Sequence, residues 1–336
     1  MMEKREFANT GIMVSAIGLG CMGMSSSYGE RNDEESIKTL QRSLELGIDF
    51  WDTSDIYGNG DNEKLISKVL RENRNRVFIA TKVGFRSGND TDDGVARQGN
   101  YLDGRPEHIK KAVSACLDRL GVECIDLLYL HRVDPNVPVE DSIKAMAKFV
   151  EQGKVKYLGI SECTLDDLNR AHKIHPISAV QSEYSLVERT VEKNGILQRT
   201  KEINAVFVPF APLGRGLITN KKHMQHLQPT DFRYNIPRYN GEHRINNENL
   251  ANELDLYAKE NFNATVSQLA IAWVLAQQDN IIPIPGTKRR IYLEENVKSI
   301  DIHLSERHLK DINAILDKYP NVGERYAARQ KGFLKK

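Results

Sequence analysis

The stretch Ala16-Ile17-Gly18-Leu19-Gly20-Cys21-Met22-Gly23, followed by Met24-Ser25-Ser26-Ser27-Tyr28-Gly29, decides between two folds. An apolar run of strand length leads into a literal G-x-G-x-x-G, which after a strand is the fingerprint of a doubly wound dinucleotide-binding domain. That fingerprint requires a helix opening inside the motif. Here small and polar residues follow instead, and the first helical signal waits for Asn32, an N-cap ahead of the acidic turn Asp33-Glu34-Glu35. The glycines therefore read as a tight loop between a first strand and a first helix.

Working outward, apolar runs of strand length recur at 16–21, 48–53, 77–83, 125–131, 155–161, 177–181, 205–210 and 281–285, eight in all. Helical stripes separate them. Ile37, Leu40 and Leu44 repeat after the Asn32 cap and stop at Gly47. Ile109, Val113, Cys116, Leu117 and Leu120 repeat between Pro106, suited to a first helical position, and Gly121. Val266, Leu269, Ala270, Trp273 and Val274 form a third stripe. Eight strand–helix units without a Pro/Gly/Ser linker predict an α/β fold, a single (β/α)8 TIM barrel spanning residues 1–336 as one domain. Residues 5–7 and 12–14, turned at Thr10-Gly11, predict an N-terminal β-hairpin that plugs the barrel bottom. Extra helices are expected at the C-terminal end, over 290–300 and 305–316, before a solvated basic tail with Lys331, Lys335 and Lys336. The polar stretch 220–247 reads as a long loop, and with 84–104 it is expected to shape a substrate pocket.

Of 336 residues, 47 are Lys or Arg and 46 Asp or Glu, a formal charge of +1. No basic field exists to hold nucleic acid or an anionic membrane, so a small molecule is the expected partner. The charged start Met1-Met2-Glu3-Lys4-Arg5-Glu6 and the absence of a long apolar run predict a cytoplasmic chain. Cys21, Cys116, Cys124 and Cys163 form no C-x-x-C and read as reduced thiols. No coiled-coil seam is legible, and a homo-oligomer is neither required nor excluded.

Barrel chemistry sits where strands end at the C-terminal face. Asp52 ends the second strand, Tyr57 follows it, Lys82 ends the third and His131 the fourth. Any one of them alone reads as readily as a structural ion pair or a core histidine. Four at the same end of three consecutive strands point to proton transfer at a carbonyl oxygen. In that reading Tyr57 donates the proton, Lys82 lowers its pKa, Asp52 holds Lys82, and His131 positions the oxygen. Anion binding is expected after the seventh and eighth strands: at Leu213-Gly214-Arg215-Gly216, through backbone N–H groups and Arg215, and at Thr287-Lys288-Arg289-Arg290, at a helix start. Three adjacent basic residues suit a ribose 2′-phosphate, hence NADPH/NADP+ over the unphosphorylated cofactor.

Trp51-Asp52-Thr53-Ser54-Asp55-Ile56-Tyr57-Gly58, Thr81-Lys82, Leu130-His131, Gly159-Ile160-Ser161, Gln181, Pro212 to Gly216 and Pro285 to Arg290 together make the chain resemble the aldo-keto reductase family. The resemblance implies reduction of aldehydes or ketones to alcohols, with hydride from the nicotinamide and the proton from Tyr57. It implies cofactor contacts from the backbone around Cys21 and Met22, from Ser161 and Gln181 to the carboxamide, from Glu295 and Asn296 to the adenine, and from Phe210, Pro212, Pro285 and Gly286. Two departures stand out. Glu162 follows Ser161 where many relatives carry Asn, and this Ser-Glu pair resembles that of a subgroup similar to the perakine and pyridoxal reductases. Phe210 stands where relatives often place a stacking tyrosine.

The alternative within the same resemblance is a cofactor-binding regulatory subunit of the channel-associated kind, with vestigial turnover. A barrel hydrolase needs a carboxylate pair, a metal site or an activated nucleophile that the sequence does not offer. His172 with His175, and His223 with His226, are H-x-x-H pairs lacking the glutamate of a helical zinc motif, so no metal is expected.

Overall fold

Each barrel strand alternates its side chains between the barrel interior and the surrounding helices, and this alternation sets both the core and the site. The computed structural model describes residues 2–25, 27–88, 99–219 and 227–327. Strands β1 (Lys4–Glu6) and β2 (Met13–Ser15) form an antiparallel hairpin. β3 (Leu19–Gly20), helix α1 (Asp33–Glu45), β4 (Phe50–Asp52), α2 (Asp61–Leu70) and β5 (Phe78–Val83) begin the barrel. A small antiparallel excursion, β6 (Phe85–Ser87) with β7 (Asn100–Leu102), rises from the segment expected to be a substrate loop. Then follow α3 (Pro106–Leu120), β8 (Ile125–Leu130), α4 (Val139–Glu151), β9 (Val155–Ser161), α5 (Leu165–Ile174), β10 (Ile177–Glu183), α6 (Thr190–Lys193), α7 (Ile196–Glu202) and β11 (Val206–Phe210). The chain ends with α8 (Gly241–Phe262), α9 (Val266–Leu275), α10 (Arg290–Val297) and α11 (Glu306–Asp317).

Seven strands pair in parallel in the order β3-β4-β5-β8-β9-β10-β11. The eighth, at 281–286, closes the ring irregularly, bridging Phe207 through Ile281 and Gly20 through Gly286. The Ile282 and Ile284 N–H groups donate to Phe207 and Pro209 carbonyls at 2.9 and 3.0 Å. On the other side Pro283 and Pro285 have no N–H to give, so they only accept, from Gly18 and Gly20 at 2.9 and 3.4 Å. A side chain at Gly20 would lie 2.8 Å from the Ile284 carbonyl, and one at Gly18 2.5 Å from the Phe50 ring. The first two glycines of G-x-G-x-x-G are thus explained by the close approach of the closing strand at Gly20 and of the Phe50 and Ile284 side chains at Gly18.

The inward positions Phe50, Phe78, Ala80, Leu127, Tyr129, Ala179, Val206, Val208, Ile282 and Ile284 fill the barrel. Gly159 leaves room for them, since a Cβ there would meet the Tyr129 ring at 2.4 Å. Phe7 caps this interior from below, fully buried against Phe78 and Tyr157 with ring centroids 4.7 and 5.2 Å apart. The hairpin is therefore the expected plug, but its turn differs from the one expected. The Phe7 N–H donates to the Ile12 carbonyl, and the left-handed residues are Ala8, Asn9 and Gly11 rather than a two-residue Thr10-Gly11 corner.

The helix signals read from sequence hold: Asn32 accepts from the Glu35 N–H, Pro106 opens α3, and Gly121 ends it at φ +66°. The loop assigned to 220–247 needs correction, since α8 begins at Gly241. Its first turns bury Asn247, which donates to the carbonyls of Arg238 and Val322, so the inward face carries no apolar period to read. Residues 220–226, with His223 and His226, and the tail with Lys331, Lys335 and Lys336 lie outside the described residues. Among the described residues, no helix is long and apolar enough to cross a membrane.

Candidate active site

Strand parity carries the interior pattern up to the C-terminal mouth. Two residues beyond Phe50 comes Asp52, beyond Ala80 comes Lys82, beyond Tyr129 comes His131, beyond Ala179 comes Gln181, and beyond Val208 comes Phe210. Lys82 is fully buried. Its ammonium donates to Asp52, to the Thr53 carbonyl at 2.8 Å, and to the Tyr57 hydroxyl at 3.4 Å. Gln181 Nε2 donates to the other Asp52 oxygen at 2.8 Å. His131 meets Tyr57 edge to face, ring centroids 5.8 Å apart, and its Nδ1 lies 3.0 Å from the Ser54 hydroxyl, which leaves Nε2 for the cleft. The four residues read from sequence therefore converge.

Electrostatics modifies one expectation. Burial disfavours the charge on Lys82, but Asp52 and Tyr57 outweigh it and hold the ammonium above the ordinary lysine range. At Tyr57 burial wins: despite Lys82, the phenol lies above its ordinary pKa rather than below it as expected. Burial, then Arg132 and Lys82, push His131 well below the usual imidazole range, so the ring is neutral. A protonated phenol and a neutral imidazole thus face the same space.

That space is a cleft of about 1230 Å³ lined by Met22, Asp52, Tyr57, His131, Ser161, Gln181, Phe210, Pro212, Leu213, Arg215, Gly216, Pro285, Gly286, Lys288, Arg289, Glu295 and Asn296. It exceeds the roughly 300–1,000 Å³ of a single small-ligand pocket, and so has room for a cofactor beside a substrate. The donor set fits a nucleotide. Asn296 is buried on the cleft wall with no protein partner for its amide among the described residues, and Arg289, stacked 5.2 Å from the Tyr292 ring, has no ion pair there.

Four expected cofactor residues do not line the cleft. The Cys21 thiol is fully buried and points to the Leu19 carbonyl, while its backbone N–H donates to Asp52 O at 2.9 Å. Glu162 turns away and is forked by Arg325 at 3.1 and 2.8 Å, taking a third bond from the Glu183 N–H at 2.9 Å. Gly214 serves a turn at φ +57°, where a side chain would meet Val187 at 2.8 Å. Arg290 is forked onto Glu35 on the surface. Two further assignments need qualification. Arg215 lines the cleft, but its charge is paired with Glu183 at 2.7 Å. Lys288 donates to the Tyr28 and Glu30 carbonyls, so Arg289 is the least committed of the three basic residues. His172 and His175 meet backbone, the Ile177 N–H and the Pro176 carbonyl.

Sequence reasoning missed Tyr28, Arg132, Arg233 and Tyr326, which all line the cleft. Arg132 follows His131 directly and was hidden by strand parity, which assigns it to the outer face. The others come from loops without periodicity.

Comparisons with known proteins bear on the family and the fold. Residues 16–317 match the family described as Aldo/keto reductase family. The chain is 40% identical over 318 residues to the Schizosaccharomyces pombe aldo-keto reductase yakc [NADP(+)], covering 93% of this chain and 92% of that one. It is 38% identical over 304 residues to a probable aldo-keto reductase 1 of Glycine max, covering 90% and 85%. Among solved structures it superposes on the glycerol dehydrogenase AKR11B4 from Gluconobacter oxydans with a TM-score of 0.83 at 26% identity, covering 94% and 95% of the two chains. Sequence match along nearly the whole barrel and a shared fold lead to one conclusion: the chain belongs to the aldo/keto reductase family.

Proposed function

We propose that this chain reduces aldehydes or ketones to alcohols with NADPH, Tyr57 donating the proton. The observation that carries the reading is the Lys82 ammonium, buried between Asp52 and the Tyr57 hydroxyl at 3.4 Å. When bound in the cleft, a reduced nicotinamide would supply the hydride that the carbonyl carbon needs. The remaining work belongs to the chain. His131 Nε2 orients the carbonyl oxygen toward Tyr57. The phenol gives up its proton to that oxygen, and Lys82 stabilises the phenolate left behind. Asp52, anchored by Gln181, keeps Lys82 charged and in place. Phe210, Ser161 and Gln181 would hold the nicotinamide, and Glu295 and Asn296 the adenine. Arg289, with Lys288 beside it, is suited to a 2′-phosphate, and the Schizosaccharomyces pombe relative is named for NADP(+).

The test is consumption of NADPH, with NADH in parallel, against a panel of neutral aldehydes and ketones. Tyr57→Phe is expected to lower kcat by at least about 100-fold, the usual contribution of a general acid, while cofactor affinity by fluorescence titration stays within about twofold. A variant that reduces aldehydes as fast as wild type removes Tyr57 from the mechanism. Tight cofactor binding without turnover on any carbonyl would point instead to a regulatory role.

A further inference from the structure

Arg86, Arg132, Arg215 and Arg238 are the buried arginines among the described residues. Three are neutralised, Arg86 by Asp103, Arg215 by Glu183, and Arg238 by Glu183 and Glu188. Arg132 is not: among the described residues no carboxylate lies within ion-pair distance of it. One amino group of its guanidinium is fixed, donating to the His131 carbonyl at 2.6 Å and to the Ser161 hydroxyl at 3.0 Å. Among the described residues Nε and the second amino group have no acceptor, yet they are not sealed off. Arg132 lines the cleft that Tyr57 and His131 also line.

The acids close enough to matter are already engaged. Glu162, which Arg132 influences electrostatically, is held by both prongs of Arg325 and by the Glu183 N–H. Asp52 is bound by Lys82 and Gln181, and Asp231 by Arg233. A largely buried cation left uncompensated is unfavourable unless something supplies the missing charge. Here the open position is beside the groups that must flank a substrate carbonyl. Two free N–H directions on a planar guanidinium match the two oxygens of a carboxylate. A phosphate dianion would call for a second free cation, whereas Lys82 is held by Asp52, Arg215 by Glu183 and Arg233 by Asp231.

We propose that Arg132 receives a carboxylate carried by the carbonyl substrate, so that formyl- and oxo-carboxylates are preferred over neutral carbonyl compounds. The proposal rests on the reductase reading, and its test separates the two. NADPH oxidation by the purified chain is measured with meta- and para-formylbenzoate against meta- and para-formylbenzamide, neutral compounds of nearly the same shape. At least one formylbenzoate is expected to exceed its amide about tenfold or more in kcat/KM, mostly through KM, as a charge-assisted pair gives. Arg132→Gln should bring that ratio to about one, with Arg132→Lys between. Amides turned over as well as both acids by wild type would overturn the carboxylate site and leave the reductase reading intact. The same ratio in Arg132→Gln as in wild type would overturn its assignment to Arg132. If no compound is turned over, the reductase reading rests on its own aldehyde and ketone panel, and calorimetric binding decides the site alone. Para-(hydroxymethyl)benzoate must then bind about tenfold tighter than its amide, and equal binding rejects the proposal.

Discussion

Two titrating side chains face each other at the mouth, and burial moves them in opposite directions. Tyr57 lies above the ordinary phenol pKa because burial outweighs Lys82, so its proton-donating form persists past the usual tyrosine range. His131 lies well below the ordinary imidazole pKa because burial, Arg132 and Lys82 all disfavour its charge, so its neutral form persists below the usual histidine range. The reductive reaction needs the protonated phenol and the neutral ring, and both shifts widen the interval where the two coexist. The rate of reduction is therefore expected to show no acid limb near pH 6.5 and no alkaline limb near pH 10, the approximate ordinary values. A limb near 6.5 that vanishes in His131→Gln would contradict this. Asp52, Lys82 and His131 were legible because a strand's alternation fixes where each points. Arg132 was not, because alternation lapses at the residue after a strand.

Elements far apart in sequence meet over the cleft. After α11 the chain returns across the barrel mouth, where Arg325 binds Glu162 and, at 3.4 Å, Glu183, while Tyr326 lies 4.5 Å from the Arg215 guanidinium. Burial alone would raise Glu162, but Arg325, then Arg132, hold it below the usual carboxylate range. Its contribution to stability is therefore present above that range and lost as pH falls through the folded value. Arg325→Gln leaves the acid without its fork and is expected to cost about 3 kcal/mol in denaturant unfolding. Glu162→Gln in the same chain should recover at least half of that loss; no recovery would mean that Arg325 acts through other contacts. The departure at Glu162 was visible in the sequence, but its partner lies 163 residues away, and no local pattern reports such a pairing. Helices α1 and α3 were legible because their caps are local chemistry. The start of α8 was not, because an inward asparagine satisfies backbone carbonyls where an apolar residue would have marked the face.

At the level of the whole molecule, the barrel has a sealed end and a working end. The hairpin seals the bottom through Phe7, while Arg5 donates to the carbonyls of Leu275, Gln278 and Ile281 around the start of the closing strand. Phe7→Ala is expected to destabilise by about 3–5 kcal/mol, the usual loss for truncating a buried aromatic. Its kcat/KM should stay within about twofold of wild type below the melting transition, since the plug and the cleft occupy opposite ends. A large loss of activity in a still-folded variant would show that the two ends communicate. Eight strand-length runs made the architecture readable, because a closed ring needs only the count and the alternation; the seam's irregularity follows from two prolines whose partners no local window contains. That seam also bears on folding kinetics. It joins Gly18 to Pro283, so the ring cannot close until almost the entire barrel has been synthesised. Until then β3 and β11 present unpaired edges, so ring closure, the longest-range pairing of the barrel, is expected to be the slow step of folding.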